Sequence, residues 1–253
     1  MNVIVTAGGC PEPGDPLFSL TRGGLKARLD VAGRPMVQWV LDALNGASSI
    51  ERIVLVGLPD SAGLASRKPL ICLADEGDML ANIQSGAREV ARLDSGAVHA
   101  LVCSSDIPAL RAEMVDWLVE QVLREDADVC YNIIFRQAME ARYPGSRRTY
   151  LHIREGEVCG GDMNAIRLSI AMGSHPIWKQ IIASRKQPLR QAAMVGYDTL
   201  FLLLIRRLSL QIAEKKFAQH LGLRGRALLC PYPEMGMDVD KPFQLEIMRE
   251  ELG

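Results

Sequence analysis

The chain has 253 residues, 48% hydrophobic and 23% charged, with a formal net charge of -1, long enough for one large core or two small ones. A balance this near neutral gives no electrostatic case for a nucleic-acid or membrane-surface partner. The short basic pairs Arg147-Arg148 and Arg206-Arg207 read as solvated positions. Cysteines stand at 10, 72, 103, 130, 159 and 230. With no CxxC pair and no zinc spacing to a histidine, they read as buried, reduced thiols of a cytoplasmic protein.

In chain order, the apolar residues 3–6 form a first strand, which ends at Gly8-Gly9 in the pattern of a buried parallel strand entering a tight turn. No basic leader precedes it, and the break at Gly8-Gly9 does not suit a signal peptide. Residues 36–44 carry Val37, Val40, Leu41 and Leu44 at helical spacing, and 52–57 is a second strand. Residues 78–93 are a helix with Leu80, Ile83, Ala87 and Val90 on one stripe. Residues 98–103 are a third strand that ends in Ser104-Ser105-Asp106, 113–123 a helix, and 128–135 a strand rich in β-branched and aromatic residues.

The later chain is less regular. Residues 148–154 and 157–159 read as a hairpin around Glu155-Gly156. Residues 175–221 read as mostly helical, with Pro176 and Pro188 near helix starts and Gly196 as a break. Within them 200–205 is strongly apolar but far shorter than the ~20 residues of a spanning helix. It reads as a buried helix, with a homodimer contact as the alternative. A late strand at 227–230 and a helix at 242–251 close the chain. The histidines at 99, 152, 175 and 220 do not cluster, and Trp39, Trp117 and Trp178 read as core or interface anchors.

Strands alternating with helices imply right-handed crossovers. The expected fold is a three-layer α/β/α domain with a mostly parallel, mixed central sheet and a Rossmann-like N-terminal half. One domain spans 1–253, with a nucleotide-binding half to about 135 and a helical, acceptor-binding half from about 136. Ligands of such sheets bind outside the carboxyl ends of the strands, which singles out Gly8-Gly9 and Ser104-Ser105-Asp106.

Five segments carry chemistry. Glycines after a strand let backbone N–H groups approach phosphate, and Lys26, in Leu25-Lys26-Ala27-Arg28, supplies a point charge. Asp106, in Asp106-Ile107-Pro108, is either a hard oxygen ligand for Mg²⁺ or a cap on the next helix. Asp240, in Asp238-Val239-Asp240-Lys241-Pro242, stands as a cap before a helix that starts on proline. Glu76 to Gly86 is either a plain amphipathic helix or a segment whose Asn82 and Ser85 contact a ligand. Gly160-Gly161-Asp162-Met163-Asn164 is either a hairpin exit or a contact for a second substrate.

On Ala7-Gly8-Gly9, Lys26-Ala27, Gly33-Arg34-Pro35-Met36, Asp106-Ile107-Pro108 and Asp238-Val239-Asp240, the chain resembles the nucleotidyltransferases of the glycosyltransferase-A type. These include molybdenum cofactor guanylyltransferases, sugar-phosphate nucleotidyltransferases and methylerythritol-phosphate cytidylyltransferases. The resemblance implies transfer of a nucleoside monophosphate from a nucleoside triphosphate to a small phosphorylated acceptor, with release of pyrophosphate. Asp106 and Asp240 would hold Mg²⁺, and Lys26 would contact phosphate as the third catalytic residue. Ala7, Gly8, Gly9, Asn82 and Ser85 would contact the nucleotide, and Gly161 and Asn164 the acceptor. The sequence departs from the family in three places. Residues 10–24 are longer than the usual loop and lack its arginine, for which Arg22 would substitute; Leu25 stands for proline and Lys241 for threonine. A glycosyltransferase using Asp238-Val239-Asp240 and a non-catalytic nucleotide-binding module are the alternatives.

Overall fold

The computed structural model describes residues 1–58, 60–173, 193 and 196–253. The first half holds β1 (Asn2–Thr6), α1 (Phe18–Thr21), β2 (Asp30–Val31), β3 (Arg34–Pro35), α2 (Met36–Gly46), β4 (Arg52–Val56), β5 (Leu70–Leu73), α3 (Met79–Leu93), β6 (His99–Ser104), α4 (Ala112–Arg124) and β7 (Val129–Phe135). After these come α5 (Arg136–Arg142), β8 (Leu151–Ile153), β9 (Gly156–Gly160), β10 (Met163–Arg167) and α6 (Leu168–Ala171). The remaining described elements are α7 (Tyr197–Leu204), α8 (Leu210–Leu221), β11 (Gly225–Leu229) and α9 (Pro242–Leu252).

A nine-stranded sheet runs β5-β4-β1-β6-β10-β7-β9-β8, with β11 pairing β7. The ladders β1·β4, β1·β6, β4·β5 and β7·β11 are parallel. Only β10 and β9 run against the common direction, so the sheet is mixed and mostly parallel, as expected. Side-chain alternation creates the layers. Val3 and Val5 of β1, with Ile53 and Leu55 of β4, pack beneath α2, α4 and α9. Ile4, Val54 and Val56 point the other way, beneath α3, α6 and α8. Both faces are covered, which is why these strands read as unbroken apolar runs. α3 sits close because Gly86 has no side chain: a Cβ there would lie 2.5 Å from Ile4.

Several elements escape the sequence reading. β10 carries Asn164 and Arg167 in a five-residue run, so it reads as a loop. It is nevertheless the strand between β6 and β7. β5 is a four-residue edge strand, and α5 buries only Met139, too little for either to show in the pattern. β2 and β3 form a small hairpin turned by Ala32 and Gly33, both at positive φ. Gly33 therefore serves a tight turn, and the buried Met36 begins α2 directly after it.

Three expectations need correction. Residues 200–205 are not a buried helix: α7 buries only Thr199 and Leu203, while Phe201 and Leu204 are each 61% exposed. A helix of two turns presents one narrow stripe to the sheet: Leu200 and Leu202 are half-buried beside Leu203, and Phe201, Leu204 and Ile205 fall outside it. Cys10 is exposed and Cys72 half-buried, whereas the other four thiols are buried. The predicted first strand of the hairpin begins at Leu151 rather than Arg148, because Arg148 turns inward. Gly196 stands at the start of α7, at φ +140°, while His175, Pro176, Trp178 and Pro188 lie outside the described residues. Among the described residues no helix is long and apolar enough to cross a membrane.

Candidate active site

β1 is the switch point of the sheet, with β4 on one side and β6 on the other, so a crevice opens beyond its carboxyl end. Three chain segments meet there. The first is the turn after β1. Ala7 is buried and its N–H still donates to Val56 O at 2.8 Å. The N–H groups of Gly8, Gly9 and Cys10 have no acceptor among the described residues. The turn passes close to Gly57, which sits at φ +101° with Gly8 N 2.1 Å from where a Cβ would stand. Gly8 is equally tight on its other side, since a Cβ would lie 2.2 Å from Asp75 Oδ1. Unpartnered amides on a turn are the groups with which a backbone can receive an anion.

The second segment brings Lys26. Its N–H donates to Gly9 O at 2.9 Å, which fastens the short helical turn Lys26–Arg28 beside the glycine loop. The third segment brings the acids. Asp106 follows β6, braced by the Ser104 hydroxyl and by the buried Ile107. Val239 N–H donates to Asp106 O at 2.9 Å. Met237 and Val239 are buried, so in this extended run Asp238 and Asp240 both face the opposite way, toward Asp106. The two positions lie far apart in sequence and one backbone hydrogen bond joins them.

The Lys26 ammonium bridges Asp106 Oδ2 at 2.5 Å and Asp240 Oδ1 at 2.6 Å. Burial opposes its charge, but Asp106 and then Asp240 outweigh that and hold the lysine protonated well above its ordinary value. Ligand atoms of Asp106, Asp238 and Asp240 lie within 4.8 Å of one another. Two opposite ligands of a bound Mg²⁺ span about 4.2 Å, so three hard oxygen donors at this spacing fit such an ion. A lysine drawn between two carboxylates marks the same place as one of strong negative potential.

A second cation enters the cluster, and the sequence reading misses it. Arg148 is no solvated position. Its side chain is only 15% exposed, paired with Asp238, with Asp162 at 3.3 Å and with Gly160 O at 3.1 Å. Burial foremost, then the neighbouring acids, pushes the Asp162 and Asp238 carboxyls above the usual range, against the pull of Arg148. Nothing in the pair Arg147-Arg148 signals that one arginine points inward and the other stacks on Phe243, 5.0 Å from the ring centre.

The other expected site residues divide. Asn82 lies beside Gly8, but its amide accepts from Glu76 N at 2.8 Å and donates to Asp75 at 2.7 Å, so it braces the 75–77 turn against the glycine loop. Ser85 bonds Glu76 at 3.2 Å. Arg22 is exposed at the end of α1, with no ion pair among the described residues. Gly161 and Asn164 are engaged within the sheet. Gly161 N–H donates to Asn132 O at 2.8 Å, and the Asn164 amide joins Asn132 N at 2.8 Å to Gly161 O at 3.1 Å. Their polar groups knit β10 to β7, and Asp162 between them is the side chain that reaches the cluster.

The sequence matches the MobA-like NTP transferase domain over residues 5–200. The chain belongs to the MobA-like NTP transferase family. It is therefore a nucleotidyltransferase by family. The matched span takes in Gly8, Lys26 and Asp106 and stops short of Asp238 and Asp240. A hypothetical transferase from Thermus thermophilus is 37% identical, with a TM-score of 0.81 over 96% of this chain and 98% of its own. CMP:2-keto-3-deoxy-manno-octonic acid synthetase complexed with CTP has a TM-score of 0.58 at 15% identity, covering 99% of this chain and 98% of its own. The 4-diphosphocytidyl-2C-methyl-D-erythritol synthase of Anaerococcus prevotii has a TM-score of 0.59 at 12% identity, covering 99% and 97%. These two share the fold of this MobA-like chain. No curated protein matches it.

Proposed function

We propose that the chain moves a nucleoside monophosphate from an NTP to a small phosphorylated acceptor, with release of pyrophosphate and with Mg²⁺ held by Asp106 and Asp240. The observation that carries this reading is the meeting of Lys26, Asp106 and Asp240 beside a loop with unpartnered amides. The free state of all six thiols suits a reducing cytoplasm.

The Gly8, Gly9 and Cys10 N–H groups donate to phosphate oxygens, and Asp75 and Asn82 keep the loop in place. Lys26 brings a fixed positive charge to the same point. Bound Mg²⁺ supplies charge neutralisation and orientation to the triphosphate. An oxygen of the acceptor phosphate attacks the α-phosphorus in line. The bond from the α-phosphorus to the bridging oxygen breaks, and pyrophosphate leaves with those electrons. The attacking oxygen is already anionic, so no residue is needed as a base. The protein's contribution is positioning and electrostatics.

A pyrophosphate-release assay with each of the four NTPs, Mg²⁺ and a set of sugar, polyol and pterin phosphates tests this reading. The expected result is release with a preferred NTP and acceptor, reduced at least about 1,000-fold in Asp106→Ala with the thermal midpoint preserved. Undiminished release in Asp106→Ala overturns it. A nucleotide-sugar consumed without pyrophosphate marks a glycosyltransferase instead.

A further inference from the structure

Four carboxylates and two buried cations make up the acid cluster, and the cations divide the acids between them. Lys26 takes Asp106 and Asp240. Arg148 takes Asp238 and Asp162. Asp238 is thus one of three carboxylates close enough to share an ion, yet it is the one tied to a guanidinium. The two ties differ in kind. A lysine ammonium is a point charge on a flexible stem, easily displaced. The Arg148 guanidinium is a planar fork with three partners, Asp238, Asp162 and the Gly160 carbonyl, and its charge cannot be given up.

We propose that Arg148 is a positioning residue that withholds Asp238 from the metal, so that the chain offers the ion two carboxylates rather than three. This rests on the proposed reading of the site. Mg²⁺ keeps several waters and takes one or two carboxylates together with substrate phosphates. A site reduced to Asp106 and Asp240 leaves the other positions to water and triphosphate. The four acids against Lys26 and Arg148 also leave a formal charge of about -2, which one divalent ion cancels before the polyanionic triphosphate arrives. Without Arg148, a third acid joins the ion, and the site repels the nucleotide. The arginine therefore favours NTP-bound metal over metal alone.

The test is Mn²⁺ binding without nucleotide, read by electron paramagnetic resonance, together with the KM for NTP. Arg148→Gln is expected to bind Mn²⁺ about tenfold more tightly than the wild type and to raise the KM for NTP about tenfold. Arg148→Gln with Asp238→Asn is expected to return Mn²⁺ affinity to the wild-type value. In the wild-type background, which keeps the fold safe, Asp238→Asn is expected to change Mn²⁺ affinity no more than about threefold. Asp106→Asn is expected to weaken it at least about tenfold. Equal losses in Asp238→Asn and Asp106→Asn overturn the proposal and leave the reading of the site standing. A wild-type chain that binds no Mn²⁺, with or without NTP, overturns both.

Discussion

Gly8-Gly9 and Gly160-Gly161 are the same dipeptide at the end of a strand, and the sheet treats them in opposite ways. Beyond β1 the Gly8, Gly9 and Cys10 amides have no acceptor among the described residues, although Gly57 after β4 packs against Gly8. Between β9 and β10 the chain stays inside the sheet. Gly160 pairs Ile133, Gly161 donates to Asn132 O, and Asp162 donates to Met235 O. One glycine pair leaves its amides open beyond a switch-point strand, and the other spends them inside the sheet. The residues are identical, and the neighbours decide.

Gly57→Ala attacks the first pair most strongly. Its Cβ would strike the Gly8 backbone from a left-handed conformation, so the loop must move. NTP affinity is expected to fall about 100-fold, or about 2.7 kcal/mol, by isothermal titration; an unchanged affinity would remove the loop from the binding site. Asn164→Ala attacks the second pair and takes the acceptor away from the Asn132 N–H, a buried residue. It is expected to cost about 2 kcal/mol of stability in urea unfolding while leaving the KM for the acceptor unchanged. A raised acceptor KM at full stability would return Asn164 to the binding residues.

Arg22→Ala asks whether the insertion contributes charge to the first pair. The side chain is exposed, so a rise of about threefold in the KM for NTP is expected, shrinking further in high salt, with no change in the melting temperature. The smallest effect concerns the junction behind the second pair. Asp128 accepts from Arg167 Nε and Arg224 N, both at 2.8 Å. Burial works against its charge, but these partners outweigh it, and its acidity is set below the usual carboxylate range. A depressed folded value means stability that is complete above about pH 4 and disappears as pH falls through that lower value. The melting temperature of Asp128→Asn should therefore lie below the wild type at pH 7 and meet it in stronger acid.

The same contrast explains what the sequence makes legible. β1, β4 and β6 show as apolar runs because both faces of each are covered, β7 shows by its β-branched and aromatic residues, and α3 and α4 show as stripes because only one face is buried. Lys26, Asp106 and Asp240 are found because each stands in a short motif at the end of an element. β10 is hidden because its polar residues, Asn164 and Arg167, are satisfied by partners more than 30 positions away. Arg148 is hidden for a related reason, since Asp238 lies 90 positions away. Its three partners come from two other segments, β9–β10 and the run before α9, and a local pattern contains no trace of that meeting. For Gly161 and Asn164 the motif was visible and the pairing of the surrounding strands was not.

The excursion from Cys10 to Gly24 leaves and rejoins the fold at nearly one point. Cys10 Sγ lies 3.0 Å from Gly23 O, and Lys26 N–H reaches Gly9 O at 2.9 Å. With both ends pinned and Leu17 buried in the core, only the exposed tip around Gly14 is a side branch whose length the rest of the molecule scarcely registers. Doubling such a loop adds only about 0.6 kcal/mol of closure entropy. That makes the tip a docking port for engineering: a fluorophore or affinity tag inserted near Gly14 would sit outside the sheet, and the same economy would let natural variants of this chain lengthen the tip while β1, Lys26 and the acids stay where they are.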